Sequence, residues 1–362
     1  MSAHSSPPSD ADDSVQIGII GLGNIGHYHA DRLRDLNVNL TGGADISAEA
    51  REQFAEKYET QVFNTANELF ATGLDGVIIT TPNRFHEEYA VAAFKADVAV
   101  FLEKPLAHTL ESAERIAKAA EDADTFCMVG FHTRFYPSVR TIKGYQDAGR
   151  FGKIRHIEAN FIRRRGIPGR GTWFTTHEVA GGGALIDIGV HAIDLALYIH
   201  GFPAILEVSA TSRSQFGDRE DYIYLNMWGE DTGPGQFDVE DSVSAFLRCA
   251  EGKTIALEVA WAANCPANQS YFIRGTEAGA RFDRDTESLT IYKSSPVGAD
   301  HLSDVTLQTR PEDAFTAEQR MFVDGVRTGD APNQNTVEQA LTVQRVIDAI
   351  YRSAADKHAV SL

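Results

Sequence analysis

Gln16-Ile-Gly-Ile-Ile-Gly-Leu-Gly-Asn-Ile-Gly26 decides how the first half of the chain folds. Residues 16–20 form a short apolar run, which predicts a strand, and a helical pattern follows Gly26 through residue 36. Three glycines spaced G-x-G-x-x-G between a strand and a helix have a mechanism in that place. Gly21 permits a tight turn, and Gly23 lets a pyrophosphate approach the backbone. Gly26 lets helix and strand pack closely, and the helix N-terminus, with Asn24 and Ile25, faces the phosphates. A second strand over residues 39–44 ends in Asp45, nineteen positions after Gly26. A carboxylate there accepts hydrogen bonds from an adenosine ribose and repels a 2′-phosphate, so the expectation is NAD rather than NADP.

Strand-like and helix-like segments then alternate. Further strands are expected at 61–63, 77–80, 98–102 and 126–130, and helices at 48–58, 85–95 and 110–123. Thr65-Ala-Asn-Glu68 reads as a capping box. Six strands separated by helices predict a doubly wound parallel sheet, an α/β Rossmann fold. Such sheets bind ligands beyond the carboxyl ends of their strands. Two segments stand there: Thr81-Pro82-Asn83 with His86, and Glu103-Lys104-Pro105. Lysines are usually solvated surface groups, but Lys104 directly follows an apolar strand at the ligand edge, which favours a functional role.

After Gly130 the pattern changes. A crossover and a helix to about residue 148 precede long runs at 154–163, 205–214, 222–228, 239–249, 254–262 and 270–274, rich in β-branched or aromatic residues. They predict an α+β region with a large, mostly antiparallel open sheet, and Gly252-Lys253 reads as a hairpin turn. One uncovered face on such a sheet predicts association into a homodimer or homotetramer. Inserted among these strands is Gly181-Gly-Gly-Ala-Leu-Ile-Asp-Ile-Gly-Val-His-Ala-Ile-Asp-Leu195. Residues 184–200 are apolar nearly all round, which predicts a buried helix stopped by Gly201. Asp187, His191, Asp194 and Tyr198 form one narrow polar stripe along it. Asp187 one turn before His191 suits a carboxylate orienting a general acid–base, though a packed core pair reads equally well. Arg163-Arg164-Arg165 and Trp173-Phe174 read either as a solvated charge run or as the lining of a polar substrate pocket, with Arg165 and Trp173 the substrate candidates. Residues 302–313 read as a polar linker, 315–328 as a helix, and Thr336-Val-Glu-Gln339 as a second capping box opening a helix to about residue 354.

The chain has 362 residues and a net charge of −18, from 33 basic and 51 acidic residues. That balance argues against nucleic acid and against an anionic membrane surface. Cys127, Cys249 and Cys265 are odd in number and lack CxxC spacing. They imply no disulfide framework and no metal site, and they fit a cytoplasmic protein. No run reaches membrane-spanning length on this reading. Residues 1–14 read as a disordered tail rather than a signal peptide.

With these residues in view, the chain resembles the glucose–fructose oxidoreductase / inositol dehydrogenase (Gfo/Idh/MocA) family over roughly residues 15–362. The resemblance rests on the glycine motif, Thr81-Pro-Asn83 with His86, Glu103-Lys-Pro105, Gly182-Gly-Ala-Leu-Ile-Asp-Ile-Gly-Val-His191, and the ending Phe322-Val-Asp…Ala349-Ile-Tyr-Arg-Ser353. It implies a dinucleotide-binding domain at 15–135 and a substrate and oligomerisation domain at 136–362. It further implies Lys104, Asp187 and His191 as catalytic residues, and hydride transfer between NAD or NADP and a sugar or polyol carbinol. Reduction of a non-sugar carbonyl or imine, and NAD sensing without catalysis, are the alternatives. The second expects a broken Lys/Asp/His set, which this chain does not have.

Overall fold

A computed structural model describes residues 14–225 and 235–362. All of the expected tail but Ser14 lies outside them. Among the described residues the first sheet has six parallel strands: β1 (Val15–Ile20), β2 (Val38–Ala44), β3 (Gln61–Phe63), β4 (Gly76–Ile79), β5 (Ala99–Glu103) and β6 (Cys127–Gly130). Their order is β3-β2-β1-β4-β5-β6, the doubly wound arrangement. The strands read as continuous apolar runs because helices cover both faces; every residue of β4 is buried. The helices are α1 (Asn24–Leu33), α2 (Ala48–Tyr58), α3 (Ala66–Phe70), α4 (His86–Lys95) and α5 (Leu110–Glu121). The expected capping box closes α3: the Glu68 N–H donates to Thr65 Oγ1 at 3.3 Å, and the Thr65 N–H donates to Glu68 Oε2 at 3.0 Å.

Helix α6 (Pro137–Asp147) leads to the second sheet, which has nine strands among the described residues. These are β7 (Ile154–Ile162), β8 (Ile205–Arg213), β9 (Ser242–Cys249), β10 (Thr254–Ala260), β11 (Ser270–Gly275), β12 (Ala278–Asp283), β13 (Ser288–Ser295), β14 (His301–Leu307) and β15 (Val360–Ser361). The order is β14-β13-β12-β11-β7-β10-β9-β8-β15. Only β7 and β10 pair in parallel; the other pairs are antiparallel. Between β7 and β8 lie the short α7 (His177–Ala180), a π-helical turn at Leu185–Gly189 and α8 (Val190–His200), which Gly201 ends in the left-handed conformation at φ 78°. Helix α9 (Ala314–Thr328) returns to the first sheet, where Phe322 joins Ile17, Ile78 and Phe101 in one core cluster. Helix α10 (Val337–Asp356) packs on β8, α5 and α8.

Four expectations fail here. The linker expected at 302–313 contains strand β14, which is exposed along most of its length, so no alternation of burial marks it. The strand expected at 222–228 is absent over 222–225, and its remainder lies outside the described residues. Tyr222 instead lays its ring over Arg170, 4.8 Å away, so tertiary packing uses the aromatic residue that suggested a strand. Thr336 caps α10, but the Gln339 carboxamide accepts from Asn335 rather than from Thr336, so the second capping box is half formed. Finally, the stretch His177–His200 is long and apolar enough by composition to cross a membrane, but 89% of its apolar 18-residue window is buried inside the protein, where it forms core.

Candidate active site

Two adjoining cavities lie along the carboxyl edge of the first sheet. The outer one is walled by Gly21, Gly23, Asn24, Ile25, Asp45, Thr81, Pro82 and Tyr89. The inner one is walled by Asn83, Glu103, Lys104, His132, Arg163, Asp187 and His191. Ile25, Thr80, Thr81, Trp173 and Phe174 line both.

The outer cavity is shaped for a dinucleotide. Gly21 sits at φ +93°, and a Cβ there would lie 2.9 Å from the Thr81 nitrogen. A Cβ on Gly26 would meet the Gly21 carbonyl at 2.2 Å, so helix and turn need hydrogen at that position. Gly23 differs: no atom lies within 4 Å of its added Cβ. The space above Gly23 is therefore open at the N-terminus of α1, where a pyrophosphate fits. Asp45 accepts the Leu22 N–H at 2.8 Å and the Ser47 N–H at 2.8 Å, which holds its carboxylate at the rim.

The inner cavity joins residues from segments far apart in the chain. Lys104 directly follows β5, and its peptide bond to Pro105 is cis. The Lys104 ammonium donates to the Asp187 carbonyl at 2.9 Å and to Asp187 Oδ1 at 3.2 Å. Trp261, just beyond β10, donates its indole N–H to Asp187 Oδ2 at 2.9 Å. Burial pushes the Asp187 carboxyl upward, but Lys104, Arg163 and the indole outweigh it and hold the group below the usual carboxylate range. No hydrogen bond joins Asp187 to His191. Both carboxylate oxygens are committed to an ammonium and an indole N–H, and charge-assisted partners of that kind outcompete a neutral imidazole. Asp187 thus positions Lys104, not His191 as the spacing had suggested. Asp194 and Tyr198 also leave the stripe's supposed role: Arg134 Nε donates to Asp194 at 3.0 Å within the core, and Tyr198 donates to Gln334.

His191 is buried in the cavity wall, and among the described residues its Nδ1 has no hydrogen-bond partner. Burial first, then Lys104, His132, Arg284 and Arg163, pull its pKa well below the ordinary histidine value. The ring is therefore neutral near pH 7 and able to accept a proton. His132, which the sequence reading passed over, stacks on Phe315 at 3.8 Å and meets the His191 ring edge-on at 5.1 Å. Its Nε2 lies 3.2 Å from Arg284 Nη2. Because arginine only donates, Nε2 is the acceptor and the proton of a neutral ring sits on Nδ1. The signal for His132 was its place directly after β6, at the ligand edge.

The other predicted residues divide. Asn83 lines the inner cavity and ties its amide to the Ala180 carbonyl at 2.8 Å. Glu103 accepts from His29 at 2.6 Å and from the Lys104 N–H at 3.1 Å, and so fixes the end of β5. His86 reaches neither cavity. It is fully buried between the carbonyls of Pro105, at 2.9 Å, and Thr81, at 3.0 Å, and braces the two cavity-lining segments against each other. Trp173 lines both cavities as expected, whereas Arg165 points to the Ala263 carbonyl and Asn264. Arg163 takes the cavity position instead. Residues i and i+2 of a strand share a face, and beyond the last regular residue of β7 that rule no longer says which arginine turns inward.

Known proteins share the fold and the sequence pattern of this chain. Residues 15–131 match the model of the oxidoreductase family with an NAD-binding Rossmann fold, and residues 139–281 match the GFO/IDH/MocA C-terminal domain. The D-glucoside 3-dehydrogenase of Escherichia coli K12 is 30% identical over 355 residues, spanning 94% of this chain and 95% of that one. The NAD-dependent scyllo-inositol 2-dehydrogenase of Bacillus subtilis 168 is 28% identical and covers 91% of each chain. A levoglucosan dehydrogenase solved with NADH shares the fold at a TM-score of 0.85 and 23% identity, covering 96% of this chain and 99% of that one. On both family matches and on the length of the 30% identical alignment, this chain belongs to the GFO/IDH/MocA oxidoreductase family.

Proposed function

We propose that the protein is a nicotinamide-dependent dehydrogenase that oxidises a carbinol of a sugar or polyol and reduces the product in reverse. The observation that carries this reading is the ammonium of Lys104, clamped by Asp187 beside the neutral His191, in a cavity continuous with the glycine-lined one. Gly21, Gly23 and Gly26 would hold NAD, with Asp45 at its ribose, and the nicotinamide would accept the hydride. In oxidation the C–H bond breaks as hydride leaves, the O–H proton moves to His191, and a carbonyl forms. His191 returns the proton in reduction. Lys104 donates a hydrogen bond to the reacting oxygen and stabilises its developing negative charge. Asp187 keeps Lys104 aimed, and Trp173 with Phe174 shields the junction of the two cavities from water.

On the same reading, residues 15–135 form the cofactor domain and 136–362 the substrate and assembly domain, with α9 reaching back. Subunits associate through the second sheet into a homodimer or homotetramer. Its outer face supports this: Phe246 on β9 is 40% exposed and Leu206 on β8 is 52% exposed. The free thiols of Cys127, Cys249 and Cys265 suit a reducing cytoplasm. The test is titration with NAD and NADP in parallel, then a sugar and polyol panel read at the reduced-nicotinamide absorbance. Tight NAD binding with turnover of a panel member is expected. Binding without turnover of any member overturns the reading.

A further inference from the structure

Each charged side chain lining the inner cavity has a charged or strongly polar partner except one. Glu103 holds His29, and Asp187 holds Lys104 and Trp261. Arg163 donates a single hydrogen bond, to the Gly166 carbonyl at 3.2 Å, and among the described residues no carboxylate pairs with it. A guanidinium carries five N–H donors in a planar fork, so most of this one's capacity is unused. Its position above the Phe161 ring, 5.4 Å from the centroid, satisfies none of those donors. Burial lowers the pKa of Arg163, with Asp187 only a partial counterweight. Arg163 is half-buried, and an arginine partly withdrawn from water in a cavity wall without an anion carries a cost that an anionic ligand would offset.

The surroundings point the same way. Lys104, Arg284 and Arg163 all bear on His191, and Asp187 is already committed. Behind His132, Arg284 keeps its Nε buried and unpartnered. Around the reacting end of the cavity the cations Lys104, Arg163 and Arg284 outnumber the carboxylates of Asp187 and Glu103. The cofactor's phosphates do not account for Arg163, because it lines only the inner cavity while the glycine turn lies along the outer one.

We propose that the natural substrate is an acidic sugar or polyol whose anionic group, a carboxylate or a phosphate, is gripped by Arg163 while its carbinol lies between Lys104 and His191. This rests on the dehydrogenase reading and narrows its substrate class. A planar fork binds either anion through paired hydrogen bonds.

The experiment compares D-glucose, D-glucuronate, D-glucose 6-phosphate and myo-inositol as substrates of the NAD-loaded protein. An acidic member is expected to exceed D-glucose in kcat/KM by about tenfold or more, the scale of one hydrogen bond to a charged group. Which acidic member wins separates carboxylate from phosphate. Arg163→Met should collapse that ratio and Arg163→Lys should keep part of it, with melting temperatures showing that both variants fold. Neutral sugars turned over as well as acidic ones overturn the proposal and leave the dehydrogenase standing. If nothing turns over, the dehydrogenase reading falls, and the proposal is decided by tryptophan quenching in the NADH complex. Saturable binding of D-glucuronate or D-glucose 6-phosphate that is lost in Arg163→Met sustains it; binding of neither ends it.

Discussion

The two cavities are built in different ways. The outer one comes from a few short turns of a regular α/β sheet, and its glycines lie within six residues of one another. The inner one brings together Lys104 after β5, His132 after β6, Arg163 after β7, and Asp187 and His191 from the buried helical segment, with Trp261 after β10 bonded to Asp187. Local backbone geometry makes the first, because a dinucleotide is recognised largely by main-chain N–H groups and a helix terminus. Long-range side-chain pairing makes the second, because acid–base chemistry needs several groups held at fixed distances. Damage to one end should therefore spare the other.

The largest effect is expected from Lys104→Ala and His191→Ala. Each should lower turnover about a hundredfold or more while NAD affinity stays within a few-fold of wild type. Near-normal turnover in either variant removes that residue from the chemistry. Gly23→Val reverses the pattern. The space at its Cβ is empty, so the melting temperature should hold, while NAD affinity falls about tenfold or more because the pyrophosphate loses its approach. Unchanged affinity would mean that the open space is not the pyrophosphate site. Trp261→Phe removes the indole donor to Asp187 and keeps a smaller aromatic ring in its place. A roughly tenfold drop in kcat with little change in KM is expected, the scale of one hydrogen bond to a charged group. A change confined to KM would show that Asp187 acts on binding rather than on Lys104.

Acidity distinguishes the two ends again. His191 and His132 have folded-state pKa values held well below 6.5 by burial, and His200 is pulled down to about 4. The unfolded chain binds protons at these positions below about pH 6.5, whereas the folded chain does not. The stability they contribute is present above pH 6.5 and is lost as pH falls toward 4. Denaturant midpoints taken between pH 7 and pH 4.5 should drop, with His200 alone worth on the order of 3 kcal/mol at full effect. Oxidation rates corrected for folded fraction should stay level through pH 6.5, because His191 protonates only below it. An acidic limb at or above pH 6.5 would exclude His191 as the proton acceptor.

Much of the fold was legible before any coordinates. All six strands of the first sheet fall within a residue or two of the expected places, because parallel strands covered on both faces are apolar throughout and are bounded by glycine, proline and helix caps. The second sheet was legible where strands have one buried face, as in β7, β8, β9 and β10. It failed at β12 and β13, which have buried residues on one face and were still not read as strands, and at β14, an edge strand with no buried side chain. Lys104 and Asn83 were legible as cavity residues from their place at a strand's carboxyl end. His86 stood beside the same edge, yet its ring turns inward to two carbonyls, and only the packing of Thr81 against Pro105 decides that.

The family resemblance implied that Lys104, Asp187 and His191 belong to one site; the sequence by itself determined where the glycine turn lies and which helix is buried. These follow from local backbone rules and from hydrophobic periodicity, which act within a few residues. Tertiary structure alone decided that Asp187 serves Lys104 rather than His191, that Arg163 rather than Arg165 enters the cavity, and that His132, Arg284 and Trp261 complete it. A buried carboxylate takes the strongest donors within reach, and those donors lie 74 and 83 residues away along the chain.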